Sequence, residues 1–332
     1  MKNFLKKVME GNSLTEDEAE SAIALISEKE LPLAQIGAFL GALRTKGETS
    51  HEISGFARYL KKKAVSFPFE GKDILDTCGT GGDDIGSFNI STAVAFVLAS
   101  AGIKVAKHGN RSVSSQCGCA DVLEELNVPL NLTSNESAKD LEKNNFTFLF
   151  APSYHPSFKS LASIRKSIQV RTIFNLMGPL LNPARVNKQL VGVFHRSYVL
   201  KMAEALKNLG LDEALVVHGD DGMDEFSLSG PTYYAHLKQG KIETKILHPE
   251  EVGLKKVGLD QIKGGDRREN ARLLENILKG HDEGAKRDIV ALNAAGALMI
   301  SGQVSNFKDG IHLATSLMKS GKAYEALEKV RR

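Results

Sequence analysis

The chain has 332 residues, 42% of them apolar and 25% charged, and 43 Lys and Arg against 40 Asp and Glu leave a net charge of +3. That length is about two domains' worth at ~150 residues each, and its balance excludes wholesale disorder. The small positive surplus excludes a basic nucleic-acid footprint, and the odd count of 3 cysteines excludes a disulfide framework and suits a reducing compartment.

No apolar run near Met1 has signal-peptide length, and none anywhere reaches the roughly 18 residues of a membrane span, so a cytoplasmic protein with no membrane partner is expected. Residues 1–65 read as helical. Thr15 and Glu18 have capping-box spacing. Ala22, Ile23, Leu25 and Ile26 follow at helical intervals, Pro32 opens a second run with Ile36, Phe39, Leu40 and Leu43, and 51–63 is a third with Ile53, Phe56, Ala57 and Leu60 on one face. Residues 66–71 form the natural linker. Strands are then expected over 74–77, 103–107, 146–150, 190–194 and 214–218, alternating with helices over 88–100, 120–126 and 198–209. Further helices are expected over 270–278, 288–300 and 324–330. The fold class is therefore α/β: a small all-helical N-terminal domain over 1–65 and a larger α/β domain over 72–332, with a mostly parallel central sheet flanked by helices. Ligands in such sheets bind beyond the carboxyl ends of the strands, which directs attention to the loops after Thr77, Lys107, Phe150 and His218.

The first of these loops, Asp76-Thr-Cys-Gly79-Thr-Gly-Gly82-Asp83, lets backbone N–H groups approach a ligand, and Asn89-Ile-Ser-Thr92 follows at a helix start. The pair reads as a phosphate cradle or as a tight turn with an N-cap; it is neither a Walker loop nor Gly-x-Gly-x-x-Gly. Lys107-His-Gly-Asn-Arg-Ser-Val-Ser-Ser115 packs two cations, an amide and three hydroxyls after a strand, nearly all able to donate to phosphate oxygen. Asp220-Asp-Gly-Met-Asp224-Glu225 could hold a hard divalent cation or be acids on a solvated turn. A donor-rich cradle and an acidic loop belong together, because a polyphosphate needs its charge met from both sides. His155 and Arg165 border a helical stretch, where a lone histidine is more often structural. Cys78, Cys117 and Cys119 lack zinc spacing and read as small buried thiols. No Gly-x-Ser-x-Gly elbow and no nucleophile with a base appears.

These segments, together with 120–126, 171–183, Gly264-Gly-Asp and Asn270-Ala, resemble the anthranilate phosphoribosyltransferase family in family order and over essentially the whole chain. The resemblance implies a small helical domain, joined by helices from about 160–187, packed on the α/β domain with the active site at the hinge. It also implies a homodimer, magnesium with two ions per site, and transfer of phosphoribose from 5-phosphoribosyl pyrophosphate (PRPP) to the amine of anthranilate. Gly79, Gly82, Asp83, Ser87, Asn89, Ile90, Ser91, Thr92, Lys107, His108, Gly109, Asn110, Arg111, Ser112, Val113, Ser114, Ser115 and Cys119 would bind PRPP. Gly79, Asn110, Arg165, His108 and His155 would bind anthranilate, and Ser91, Asp224 and Glu225 would bind the metal. No residue is singled out as acid, base or nucleophile. The chain departs from the family where serine is usual at Cys117 and Cys119 and threonine at Ser87. A thiol is the weaker donor, so the Cys119 contact to PRPP should be weakened. Two rivals remain: a nucleoside phosphorylase on the same fold, which would need neither the acidic pair nor Arg165, and a non-catalytic binder of nucleic acid or phosphorylated ligands.

Overall fold

The structure is a computed structural model that describes residues 1–112, 117–156, 161, 164 and 167–332. Val113, Ser114, Ser115 and Arg165 of the expected site lie outside the described residues.

The N-terminal unit is built from α1 (Lys2–Met9), α2 (Glu16–Glu28), α3 (Leu33–Lys46) and α4 (Ser50–Lys62). The capping box at Thr15 forms as its spacing requires: the Glu18 N–H donates to Thr15 Oγ1 at 3.2 Å and the Thr15 N–H to Glu18 Oε2 at 2.8 Å. A second box, at Thr49 and Glu52, starts α4. Glu52 is fully buried because it also accepts from the Leu14 N–H at 2.9 Å and from Lys46 Nζ at 3.0 Å. A side chain at Gly55 would run into the Glu16 carbonyl, so glycine is what lets α2 and α4 cross closely.

The α/β unit carries one sheet of β1 (Ile74–Thr77), β2 (Lys104–Gly109), β3 (Phe146–Phe150), β4 (Lys188–Gly192), β5 (Glu213–Gly219), β6 (Thr232–Lys238) and β7 (Lys241–Leu247) in the order β3-β2-β1-β4-β5-β6-β7. The first five strands in that order pair in parallel. β6 and β7 add an antiparallel edge, turning at Gln239 and Gly240, both with positive φ. This hairpin was not among the expected strands, and β4 begins and ends two residues earlier than the apolar run 190–194 indicated. Helices Ser134–Asn144 and Phe307–Lys319 were likewise not expected.

Leu75, Val105, Phe146, Leu190 and Leu215 face α5 (Ile90–Ser100) and the C-terminal helices in one core. α5 is buried nearly all round, and Phe96 stacks on Phe146 at 4.5 Å between centroids. On the other face Val191, Val216 and Leu237 join Ile23, Phe39 and Phe56 of the helical unit in one continuous cluster. Leu161, Ile164, Phe174, Leu180 and Leu181 belong to the same cluster.

Chain order reverses direction across the sheet at β1, which has β2 on one side and β4 on the other. Such a switch point opens a crevice beyond the strand ends, and the glycine-rich and acidic loops both lie there.

Candidate active site

The glycine-rich loop leaves β1 and runs alongside β4. The Cys78 N–H donates to Leu190 O at 3.2 Å and the Thr80 N–H to Gly192 O at 2.9 Å, while Thr80 Oγ1 accepts from the Phe194 N–H at 3.0 Å. Gly81 and Gly82 have φ of +65° and +73°, a region costly for any residue with a Cβ. The loop reaches the acidic segment directly: the Gly81 N–H donates to Asp224 Oδ2 at 2.7 Å. A Cβ on Gly79 would press into that same carboxylate, and one on Gly192 would overlap the Asp224 carbonyl. Two segments 143 residues apart are thus held in contact by glycines.

The start of α5 lies beside this contact. Asn89 makes no side-chain cap; its amide donates to Cys117 O at 3.3 Å and its Oδ1 accepts from Asn270 Nδ2 at 3.1 Å. Ile90 turns its side chain into the core and its N–H to Phe88 O, so it offers little beyond main chain. Thr92 Oγ1 is buried without a hydrogen-bond partner among the described residues. Ser87 bridges to Lys263, and a Cβ on neighbouring Gly264 would lie 2.7 Å from Phe88 Cα, so the 264–270 segment braces the helix start.

Lys107 is 1% exposed. Its ammonium donates to Thr77 O at 2.6 Å and to Ser91 Oγ at 3.1 Å, and its charge acts on both Asp76 and Glu225. The next residue, His108, points to the opposite face, as alternation in a strand requires. Its Nδ1 meets Gly178 O at 3.2 Å, its ring lies 5.3 Å from that of His155, and its Nε2 has no partner among the described residues. Burial, then the His155 charge, drives its pKa down to about 3, and burial lowers that of His155 as well. Both rings are therefore neutral at pH 7.

Beyond β2 a side chain on Gly109 would strike Cys119 Sγ, and Asn110 is exposed with its Oδ1 bonded to the Arg111 N–H at 2.7 Å. Cys119 donates its thiol to Asn110 O at 3.4 Å. Arg111 is paired with Asp121 at 3.0 Å and Glu124 at 2.8 Å, over the Phe150 ring, so its charge is directed to α6 (Cys119–Glu125). Asp121 also accepts from the Ser112 and Gly118 N–H groups at 3.0 and 2.9 Å, which shapes the loop.

The acids converge. Burial and the neighbouring Asp83 charge push Asp224 up to about 7. Glu225, whose carboxylate meets the Ser91 N–H, is held well above the usual range by burial and by Asp224; Asp83 is raised by burial too. The three acids are held toward their protonated forms because ionising them together would create negative charge that the single Lys107 beside Glu225 does not neutralise; a bound cation would stabilise their ionised forms. Their donor atoms, with Ser91 Oγ, are oxygen only, which fits a hard divalent cation such as magnesium. Among the described residues no three His, Cys, Asp or Glu side chains form a ready-made cage.

Sequence reasoning assigned no role to Gly192, Arg171, Asn182 or Asn270. Arg171 bonds Gly82 O and Asp84 Oδ2, the latter at 2.8 Å, and lies 5.0 Å over the Phe194 ring, bracing the glycine-rich loop. For Arg171 and Asn182 the signal was their place in the family-like stretch 171–183, and for Asn270 the family-like Asn270-Ala pair.

Comparison with known proteins follows the same division. Residues 2–64 match the "Glycosyl transferase family, helical bundle domain" and residues 71–324 the "Glycosyl transferase family, a/b domain". The anthranilate phosphoribosyltransferase of Petrotoga mobilis is 46% identical over 327 residues, covering 98% of this chain and 95% of the relative. That of Symbiobacterium thermophilum is 46% identical over 331 residues, covering 100% and 97%. The crystal structure of the Thermus thermophilus enzyme superposes with a TM-score of 0.92 at 39% identity over 98% of both chains. The Saccharomyces cerevisiae enzyme in complex with PRPP and Mg superposes with a TM-score of 0.89 at 28% identity, covering 99% of this chain and 96% of that one. Fold, loop geometry and these likenesses agree: the chain belongs to the anthranilate phosphoribosyltransferase family.

Proposed function

We propose that this chain transfers phosphoribose from PRPP to the amine of anthranilate, releasing pyrophosphate and giving N-(5-phosphoribosyl)anthranilate in tryptophan biosynthesis. The observation that carries the reading is the meeting of the glycine-rich loop, Lys107, Ser91 and the Asp224-Glu225 pair at one strand-end crevice. The Gly79, Gly82 and Asp83 N–H groups would meet the phosphates, since those of Thr80 and Gly81 already hold Gly192 O and Asp224 Oδ2, and Lys107 beside Ser91 Oγ supplies a buried positive charge. Ser91, Asp224 and Glu225, with Asp83 beside them, would hold magnesium, two ions per site, which when bound neutralises charge on the pyrophosphate.

Displacement at the ribose C1 passes through an oxocarbenium-like state. Anthranilate's aromatic amine is neutral at pH 7 and needs no base to attack, so alignment of amine and C1 supplies much of the acceleration. That explains the lack of a triad. His108 and His155, both neutral, would border the aromatic ring; Asn110, Gly79 and Arg165 would place it, Arg165 through its carboxylate. The domain division is 1–65 and 72–332, with the segment 160–187 joining the helical unit, a reading supported by the shared apolar cluster. The homodimer is carried over from the family resemblance. The setting is cytoplasmic, with small-molecule substrates and no nucleic-acid or membrane partner; among the described residues no helix is long and apolar enough to cross a membrane.

Purified protein mixed with PRPP, magnesium and anthranilate should consume anthranilate fluorescence. No loss, with phosphorolysis of a nucleoside instead, would move the assignment to the phosphorylase. Arg165→Ala should weaken anthranilate use far more than PRPP binding, and Asp224→Ala with Glu225→Ala should abolish magnesium-dependent turnover.

A further inference from the structure

We propose that Asp76 and Asn182 are positioning residues: a buried pair that ties the domain-joining turn 178–182 to the end of β2, and so sets where Lys107 and His108 stand. This rests on the reading that Lys107 serves the phosphates of PRPP.

Asp76 is 0% and Asn182 1% exposed. The Asn182 amide donates to Asp76 Oδ2 at 2.8 Å and to Ala106 O at 2.7 Å, and its Oδ1 accepts from the Ala184 N–H at 2.9 Å. The second carboxylate oxygen, Asp76 Oδ1, accepts from the His108 N–H at 3.2 Å. All of these bonds but the local one to the Ala184 N–H join β1, β2 and the turn, and a buried amide with three partners has no freedom to adjust.

Two neighbours extend the grip. Gln189, paired with Asp76 across β1 and β4, donates to Pro179 O at 2.8 Å, and His108 Nδ1 meets Gly178 O. Three adjacent strands thus hold the polar side of the turn. Its apolar side chains Leu180 and Leu181, with Met177 before them, pack with the helical unit. Movement of that unit is therefore transmitted to the strand ends through Asn182.

Electrostatics makes the pair matter for Lys107. The Asp76 carboxylate acts on the Lys107 ammonium. Asn182 and the His108 N–H occupy both of its oxygens, leaving the ammonium to Thr77 O and Ser91 Oγ. Without Asn182 the turn loses its bonds to Asp76 Oδ2 and to Ala106 O, and without the Asp76 carboxylate the His108 N–H loses its acceptor; either loss loosens the end of β2 that carries Lys107.

The test is steady-state kinetics of Asn182→Ala and of the isosteric Asp76→Asn, with melting curves in the presence and absence of PRPP. The parent protein must melt higher with PRPP; no shift there defeats the phosphoribosyl reading itself and not the pair. The KM for PRPP should rise about tenfold in each variant, the scale of one charge-assisted hydrogen bond, while the KM for anthranilate stays within about twofold. A variant that folds, melts lower and keeps both KM values, or raises both alike, overturns the proposal. If Asn182→Ala does not fold, Asp76→Asn decides on the same criteria.

Discussion

Gly192→Ala perturbs the candidate site from a residue with no part in binding. A Cβ built there stands 1.4 Å from the Asp224 carbonyl oxygen, against ordinary contact from 3.4 Å, so the Asp224 backbone must retreat by roughly 2 Å. β4 cannot yield instead, because Gly192 O holds the Thr80 N–H and the strand is paired on both sides. Misplacing an aligned group by about 1 Å costs about 100-fold in rate, so kcat/KM should fall by at least that, about 2.7 kcal/mol of transition-state stabilisation. Overpacking adds about 1–3 kcal/mol of lost stability. The assay is anthranilate fluorescence decay at saturating PRPP and excess magnesium, on protein whose folding is checked by melting. Gly230→Ala is the control, since an added Cβ there meets nothing within 4 Å. Activity of folded Gly192→Ala within about threefold of the parent would refute the claim that β4 positions the acidic pair.

Cys119→Ser restores the family's hydroxyl and should lower the KM for PRPP by up to about fivefold, the worth of one neutral hydrogen bond; a raised KM would contradict the weak-donor account. Because burial holds His108 neutral in the fold, with a pKa of about 3, while the unfolded imidazole titrates near 6.5, its contribution is complete above that upper value. Stability is lost as pH falls from about 6.5 toward 3, by at most ~1.4 kcal/mol per pH unit. Chemical denaturation at pH 7.5 and 5.0 should show a shallower loss in His108→Asn than in the parent; equal slopes would refute the assignment. Arg171→Ala, which releases Gly82 and Asp84, should raise the KM for PRPP more than that for anthranilate, and equal effects would remove its bracing role.

Local signals account for what the sequence disclosed. The Thr15 and Glu18 box, the apolar run of α5 and the glycines after β1 each encode their structure within a few residues, and each appears where expected. The β6–β7 hairpin also carries a local signal, Gln239-Gly240 between two runs holding aromatic and β-branched residues, but it breaks the strand–helix alternation of the rest of the sheet. Gly192, Asn182 and Gln189 were illegible for a different reason. Gly192 matters because Asp224 lies against it, and Asn182 because Asp76 does, partners 32 and 106 residues distant in sequence that only the fold brings near. Arg111 shows the converse: its place in a donor-rich loop suggested a phosphate ligand, and the structure pairs it with Asp121 and Glu124.

The central claim is that PRPP is held between main-chain amides with Lys107 on one flank and carboxylate-bound magnesium on the other. A crystal structure of this protein with PRPP and magnesium tests it most directly. The pyrophosphate should lie over the 79–83 loop and the start of α5, with Asp224 and Glu225 reaching metal that also touches phosphate oxygen. PRPP bound elsewhere, or metal bound without those two acids, would contradict the account.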